Sequence, residues 1–252
     1  MTALLSTRFP ELMPDVIAID PSSGMMLTGE FHGRPLSETD DLACWRRAYA
    51  SLGHVQRQLS GSIEDLREVG VPVRDLDSLR IQIPALLRDR RRMRIGMDRG
   101  ITEREAGRLL AAEPRLIEVC SRLASGPIPL SLDHGDFWPG NIYSGPDRVT
   151  LFDWSDATIT HPFFSLVMAR DEIEAALNSV PGAGQLVVAA YLAGWTGYAS
   201  FTELEAIFED AMLVAPLHQA AMYRTTYLPA MEFVEELDRM TPHFLRWLAA
   251  RL

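Results

Sequence analysis

The sequence predicts an α+β fold: a small β piece at the amino end, a connector, and a large helical region with two short strands in its middle. Three observations lead there. The runs DVIAID (15–20) and MMLTGEF (25–31) are short, apolar and separated by the turn cluster Pro21-Ser22-Ser23-Gly24. Most of the later chain shows helical patterns broken at Gly and Pro. Between helical segments, PIPLSL (127–132) and RVTLFDW (148–154) read as strands on either side of the polar, turn-forming run LDHGDFWPGNIY (132–143).

Taken in order, the first thirty residues read as strand, with an antiparallel hairpin as their natural arrangement. A two-stranded hairpin is marginal in water and must pack on something. Met25 and Met26, as apolar residues, read as core. HGRPLSETDD (32–41) is a connector, and Ser37, Thr39 and Asp40 are candidate caps for a helix through LACWRRAYASLGHVQRQL. His54 in that helix reads as a core-packing residue. The polar stretch from Gly61 to Pro72 reads as a loop with short turns. Helical patterns resume over 75–94 and 102–124, separated by Gly96 and Gly100. The basic run RDRRRMR (88–94) reads as a solvated helix face. After His161-Pro162 the chain is helical nearly to its end, with interruptions at Pro181-Gly182, Gly194/Gly197 and Pro229. Glu203, Glu205, Glu209 and Asp210 read as ordinary helix-surface acids. There is no internal repeat and no low-complexity segment.

With 252 residues, 47% hydrophobic and 23% charged, the chain can bury a substantial core. A formal net charge of -10 argues against general nucleic-acid binding, which needs a basic surface. No apolar run approaches bilayer length and no secretory signal is visible, so no membrane association and a cytoplasmic location are expected. Cys44 and Cys120 have no second ligand at metal spacing and read as two small buried thiols. All 24 basic residues are Arg; Lys is absent.

Chemistry concentrates in HGDFWPGN (134–141) and LFDW (151–154). Asp136 and Asn141 stand at the two ends of a turn containing Pro139 and Gly140, and such a loop can aim both side chains at one point. A strand-like run then delivers Asp153. A carboxylate beside a reacting hydroxyl, with an Asn oxygen and a second carboxylate on Mg²⁺, is what phosphoryl transfer requires. The spacing matches the kinase catalytic loop, with Gly135 where Arg stands in H-R-D. That replacement removes a group that would hold an activation-loop phosphate, so a small-molecule kinase fits better than a protein kinase.

HGDFWPGN followed by FDWSDATITHPFFSL (152–166) resembles the aminoglycoside phosphotransferase and choline kinase-like family. The resemblance implies a protein kinase-like fold, mostly the helical C-terminal lobe (34–252), with a residual β hairpin and hinge of the N-terminal lobe (1–33). It implies ATP and Mg²⁺ as cofactors and a small-molecule hydroxyl as acceptor. Asp136 becomes the catalytic base, His134 its support through hydrogen bonds, and Asn141 and Asp153 the magnesium ligands. MLTGEFHGRPL (26–36) looks like the interlobe hinge, with the Gly29 carbonyl and the Phe31 N–H as adenine contacts. Around these, Phe137 and Trp138 read as anchors of the loop, Asp133 as an exposed group or turn acceptor, and Asp156 as a turn former.

Two departures stand out. The family often has an Asp immediately before the Leu that follows the His-Pro segment; here Ser165 precedes Leu166, a change read as structural and tolerated. The family's amino-terminal lobe should also supply a phosphate-covering loop and a Lys. This sequence opens at about the fourth strand of that lobe and has no Lys, which raises two further readings: a non-catalytic binding module, and a piece of a longer protein.

Overall fold

The computed structural model describes residues 1–146, 148–230 and 235–252, and of these every side chain except Arg170 and Glu235. The chain starts with α1 (Thr2–Arg8), not strand. Leu5, Phe9 and Met13 recur every four residues and are all buried, a helix-compatible spacing that outweighs the local strand character. The segment after α1 is tied down by the Leu151 N–H donating to Leu12 O at 2.8 Å and by Arg148 donating to the carbonyls of Pro10 and Met13.

The hairpin is β1 (Val16–Asp20) and β2 (Met25–Thr28), antiparallel, with Asp20 opposite Met25. Its turn is held by the Asp20 carboxylate, which accepts from the Ser22 and Ser23 hydroxyls, and by Gly24 at φ +71°. Met25 and Met26 are exposed, along with Ile17, Ile19 and Leu27, so the expectation that these methionines are core is corrected. A two-stranded ribbon has no second layer of its own to bury them.

Next come β3 (Arg34–Pro35), α2 (Leu42–Leu59) and α3 (Ile63–Glu68). Asp41 caps α2 by accepting the Ala43 N–H at 2.8 Å. Trp45, Ala48, Tyr49, Leu52, Val55 and Leu59 give α2 a continuous buried stripe. His54 lies off it and is exposed, its ring centroid 6.2 Å from that of Phe9 in an edge-on contact, which corrects the core-packing expectation, while Gln56 is the polar residue that the stripe buries. The stretch read as loop contains α3, short and polar apart from buried Leu66.

Helix α5 (Glu103–Ala124) follows as expected, opening on a Thr102/Glu105 capping box, whereas α4 (Leu76–Arg88) stops at Arg88 and not at 94, so the basic run leaves the helix after its first residue and continues in turns. Four short strands then appear where two were expected: β4 (Ser131–Asp133), β5 (Ile142–Ser144), β6 (Val149–Leu151) and β7 (Thr158–Thr160). β5 lies between β3 and β6 in an antiparallel three-stranded sheet, and β4 pairs antiparallel with β7. The remaining helices include α6 (Ala169–Ala176), α7 (Ala183–Leu192), α8 (Phe201–Met222) and a C-terminal helix, Met240–Arg251.

The chain forms two units. The first, Met1–Val73 with Ile128–Glu205, holds the hairpin, both other sheets and the HGD run. At its centre α2 lies against α7 so closely that a Cβ on Gly53 would come 2.8 Å from the Tyr191 carbonyl. The second, Arg74–Pro127 with Ala206–Leu252, is helical. There the basic run is largely paired: Arg88 with Glu113, Arg90 with Glu103, and Arg92 and Arg94 with Asp238. Asp210 is held by Arg122 Nε and Nη2, each at 2.8 Å, so it serves structure in this unit. Cys120 is buried, and burial pushes its thiol up to about 12. Cys44 is only half-buried, so the expectation of two buried thiols holds for one of them.

Candidate active site

Strand β4 is buried along its whole length, and its end delivers His134 into the interior. The His134 ring donates from Nε2 to the Phe152 carbonyl at 3.0 Å and packs 4.4 Å from Trp154 and 5.4 Å from Phe137. The acceptor is a carbonyl, which fixes the proton on Nε2. Phe152 immediately precedes Asp153, so one imidazole joins the two catalytic-type segments. Its side-chain contacts are with that backbone carbonyl and the two rings.

Gly135 follows at φ +80°, and a Cβ there would come 2.2 Å from the Asp156 carbonyl oxygen. This turn swings Asp136 to the surface of the unit, half-buried. Asn141 then folds back on it: its Nδ2 donates to the Asp136 carboxylate and to the Asp136 backbone carbonyl, both at 3.0 Å. With the amide nitrogen committed, the Asn141 Oδ1 is the end of the side chain left for another partner. A 3₁₀ turn at Pro139–Asn141 sets this geometry, and the Asn141 carbonyl accepts the Phe152 N–H at 3.2 Å. Phe137 is buried with its ring 5.2 Å from Tyr49 and so anchors the loop. Trp138 is 41% exposed, its ring lying over Gly140, where a Cβ would meet it at 2.1 Å.

Asp153 is exposed and sits at φ +59°, a left-handed conformation for a residue with a side chain; its carboxylate accepts from Ser155 Oγ at 2.8 Å. Asp tolerates this region better than most residues. Burial raises the Asp136 carboxyl above its ordinary value, and the charges of Asp156 and Asp153 raise it further, against the lowering effect of the Asn141 hydrogen bond. The structure therefore brings Asp136, Asn141 and Asp153 together as the sequence suggested, and adds Asp156, for which a turn role reads from the sequence in preference to a place lining the metal site. Its spacing of three from Asp153 was the available signal.

Two hard oxygen donors, Asn141 Oδ1 and Asp153, beside excess negative charge suit Mg²⁺, which takes one or two protein oxygens and shares the rest with phosphates and water. Among the described residues there is no group of three or more His, Cys, Asp or Glu arranged to hold a metal by themselves.

The hinge candidates lie in the connection between β2 and β3, outside any strand. Phe31 packs 4.8 Å from Phe152 and 5.3 Å from Tyr143. Gly29 donates its N–H to the Asp15 carbonyl at 2.8 Å; among the described residues neither the Gly29 carbonyl nor the Phe31 N–H has a backbone partner. Gly33, at φ +107°, crosses the β5–β6 turn so tightly that a Cβ would come 2.5 Å from the Ser144 carbonyl oxygen. Asp147, in that turn, lies outside the described residues.

Two buried histidines make the unit acid-sensitive. Burial holds His134 down to about 4 and His161 to about 3, with nearby Asp133 opposing both shifts. Above about pH 6.5 both are neutral, folded or unfolded. Below it the unfolded chain binds protons that the folded chain refuses, so each should cost about 1.4 kcal/mol per pH unit until its folded value is reached. Melting temperature should therefore fall steeply from pH 6.5 toward 4. His161→Asn, which keeps an acceptor for the Phe163 N–H, should flatten that slope by about half; an unchanged slope would show that His161 is not buried neutral.

A model of the phosphotransferase enzyme family matches residues 14–204. No curated protein matches the chain in sequence. Among solved structures, the macrolide 2'-phosphotransferase MphH from Brachybacterium faecium, an apoenzyme, is 20% identical over 96% of this chain and 77% of its own, with a TM-score of 0.59. The GDP and kanamycin complex of APH(2")-IIia is 16% identical, covering 100% of this chain and 80% of its own, with a TM-score of 0.63. A choline/ethanolamine kinase family protein from Mesorhizobium loti is 16% identical over 99% of this chain and 76% of its own, at a TM-score of 0.56. These likenesses place the chain in the same kinase-like fold. With the family pattern running from the hairpin through the HGD loop to the start of α8, the chain belongs to the phosphotransferase enzyme family.

Proposed function

We propose that the chain is an ATP- and Mg²⁺-dependent phosphotransferase that moves a γ-phosphate to a hydroxyl of a small molecule. The observation that carries the reading is the Asp136–Asn141 pair, with its two 3.0 Å bonds, set beside Asp153 through the His134–Phe152 contact. Asp136 orients the acceptor hydroxyl and takes its proton as the oxygen attacks phosphorus. Asn141 fixes the rotamer of Asp136 and presents its Oδ1, and Asp153 presents its carboxylate, as the donors to Mg²⁺. When bound, the metal would offset charge on the transferred phosphoryl group. The Gly29 carbonyl and Phe31 N–H supply edge contacts for adenine over the Phe31–Phe152–Tyr143 cluster. Supply of nucleotide and Mg²⁺ suits a cytoplasmic location; among the described residues no helix is long and apolar enough to cross a membrane.

Titration calorimetry with Mg-ATP tests the reading. The chain should bind, and Asp153→Asn should weaken binding at least tenfold by removing the charge of one metal donor, with folding unchanged because the side chain is exposed and Asn tolerates the left-handed backbone as Asp does. A second reading, a non-catalytic binding module, is favoured by the absence of Lys, the residue that kinase sites use against nucleotide phosphates. Absence of binding heat for the unaltered chain would decide for it.

A further inference from the structure

The expectation for Asp133 was exposure or a simple turn bond, yet it is 0% exposed, as are its β4 neighbours Ser131 and Leu132. A carboxylate taken out of water this completely must be matched by hydrogen bonds. Asp133 Oδ1 accepts from the Ser165 hydroxyl at 2.6 Å. That same Ser165 oxygen accepts the backbone N–H of His134 at 2.9 Å and a proton from Gln56 Nε2 at 2.9 Å. Gln56 is itself fixed: its two Nε2 protons are shared among Ser165 Oγ, the Leu132 carbonyl at 2.8 Å and the Pro162 carbonyl at 3.1 Å, and its Oε1 accepts from the Tyr191 hydroxyl at 2.6 Å.

A hydroxyl has one proton and two lone pairs. Ser165 meets two groups that can only donate and one carboxylate that can only accept, so a single arrangement satisfies all three. Its proton must point at Asp133, and that leaves both lone pairs for His134 N–H and Gln56. The charge on Asp133 therefore orders the hydroxyl, and the hydroxyl holds the last backbone N–H before the Gly135 turn that aims Asp136. Position 165 is where the family resemblance puts an Asp, so the carboxylate stands at 133 instead and acts through Ser165.

We propose that Asp133, Ser165 and Gln56 form a buried clamp that sets the backbone of the HGD loop, with Asp133 a positioning residue for the transfer proposed above. The kinetic consequence rests on that reading; the structural consequence rests on geometry alone. Asp133→Asn keeps the shape and one acceptor oxygen, but it removes the charge that orders the Ser165 hydroxyl and puts a buried NH2 where a carboxylate oxygen stood. It should lower ADP formation from Mg-ATP by about tenfold or more, leave the KM for Mg-ATP within about twofold, and speed hydrogen exchange at the His134 amide.

Ser165→Asp alone packs two carboxylates together and should be worse than Asp133→Asn. Joining the two substitutions transposes the carboxylate, which then accepts from His134 N–H and Gln56 directly. Turnover and amide protection should return to within a few-fold of the original chain. A double variant no better than the worse single one overturns the clamp. Should Ser165→Asp fail to fold, Ser165→Ala replaces it: once the hydroxyl is gone, adding Asp133→Asn should change His134 exchange and kcat little. Equal damage from Asp133→Asn in both backgrounds overturns the clamp as well. If the unaltered chain neither binds nor hydrolyses Mg-ATP, the phosphotransferase reading fails, and the His134 exchange pattern judges the clamp by itself.

Discussion

Asp136→Asn is expected to lower turnover by about 10²- to 10⁴-fold, the usual worth of a positioned general base, while Mg-ATP affinity stays within about twofold. The substitution is close to isosteric, so the loop should keep its course. The side chain at 136 can still meet the acceptor hydroxyl, but it can no longer take the proton as the new P–O bond forms. Nucleotide affinity should persist because the metal donors assigned here are Asn141 and Asp153. The same substitution also alters the bond from Asn141 Nδ2 to the 136 side chain, while the companion bond to the Asp136 carbonyl at 3.0 Å remains. Asn141 should thus stay in place. Steady-state kinetics with an identified acceptor, beside calorimetry, separate the two effects. Turnover at the original rate would remove Asp136 from the role of base. A parallel loss of binding would mean that it is a metal donor instead.

The sequence was most readable where local chemistry decides the structure. The helix from Leu42 to Leu59 and the one from Glu103 to Ala124 match their patterns because their buried stripes are continuous, although the first is capped by Asp41 and not by Ser37, Thr39 or Asp40. The turn at Pro21–Gly24 was equally plain, since Asp20, two serines and a glycine have few other uses together. Readings failed where tertiary packing outvotes local preference. Leu5, Phe9 and Met13 make a helix and following loop worthwhile by burying into the first unit, although the stretch had strand character. The β7 strand, Thr158–Thr160, is too short and polar to announce itself; its existence depends on pairing with β4. Met25 and Met26 were assigned to the core by their apolarity alone, and their exposure comes from a ribbon without a second layer.

The site shows the same division. Spacing and turn residues pointed to Asp136, Asn141 and Asp153, because catalysis constrains both side-chain type and chain geometry. What spacing cannot reveal is the support behind them. Gln56 lies in the last turn of one helix and Tyr191 near the end of another, and only folding brings Tyr191 to Gln56 and Gln56 to the Ser165 hydroxyl. Asp133 looked like a polar neighbour of the motif, and its burial depends on β4 being covered on both faces. Ser165, first read as a tolerated change, is the hydroxyl through which that buried carboxylate reaches the loop.

Gly135→Ala should be at least as damaging as the loss of the base, and for a different reason. The spacing argument read Gly at this position as the absence of an Arg that would serve an activation loop. The structure gives a local cause. Gly135 sits at φ +80°, a region that costs a residue with a Cβ roughly 1–2 kcal/mol. The Cβ would also meet the Asp156 carbonyl oxygen at 2.2 Å and the carbonyl carbon at 2.7 Å. These are backbone atoms, so no rotamer change relieves them. Either the HGD loop or the turn following Asp153 must move, and each carries one half of the proposed site. Turnover should drop by about 10²-fold or more, because a displacement near 1 Å suffices for that loss. Stability should fall by about 2 kcal/mol or more from strain and contact together. Unlike Asp136→Asn, this substitution should also weaken Mg-ATP binding, since Asp153 shares the displaced turn. Thermal melting and calorimetry on the same sample test it. Unchanged melting and binding would mean that the loop and the turn do not approach as closely as the packing of Gly135 on Asp156 requires.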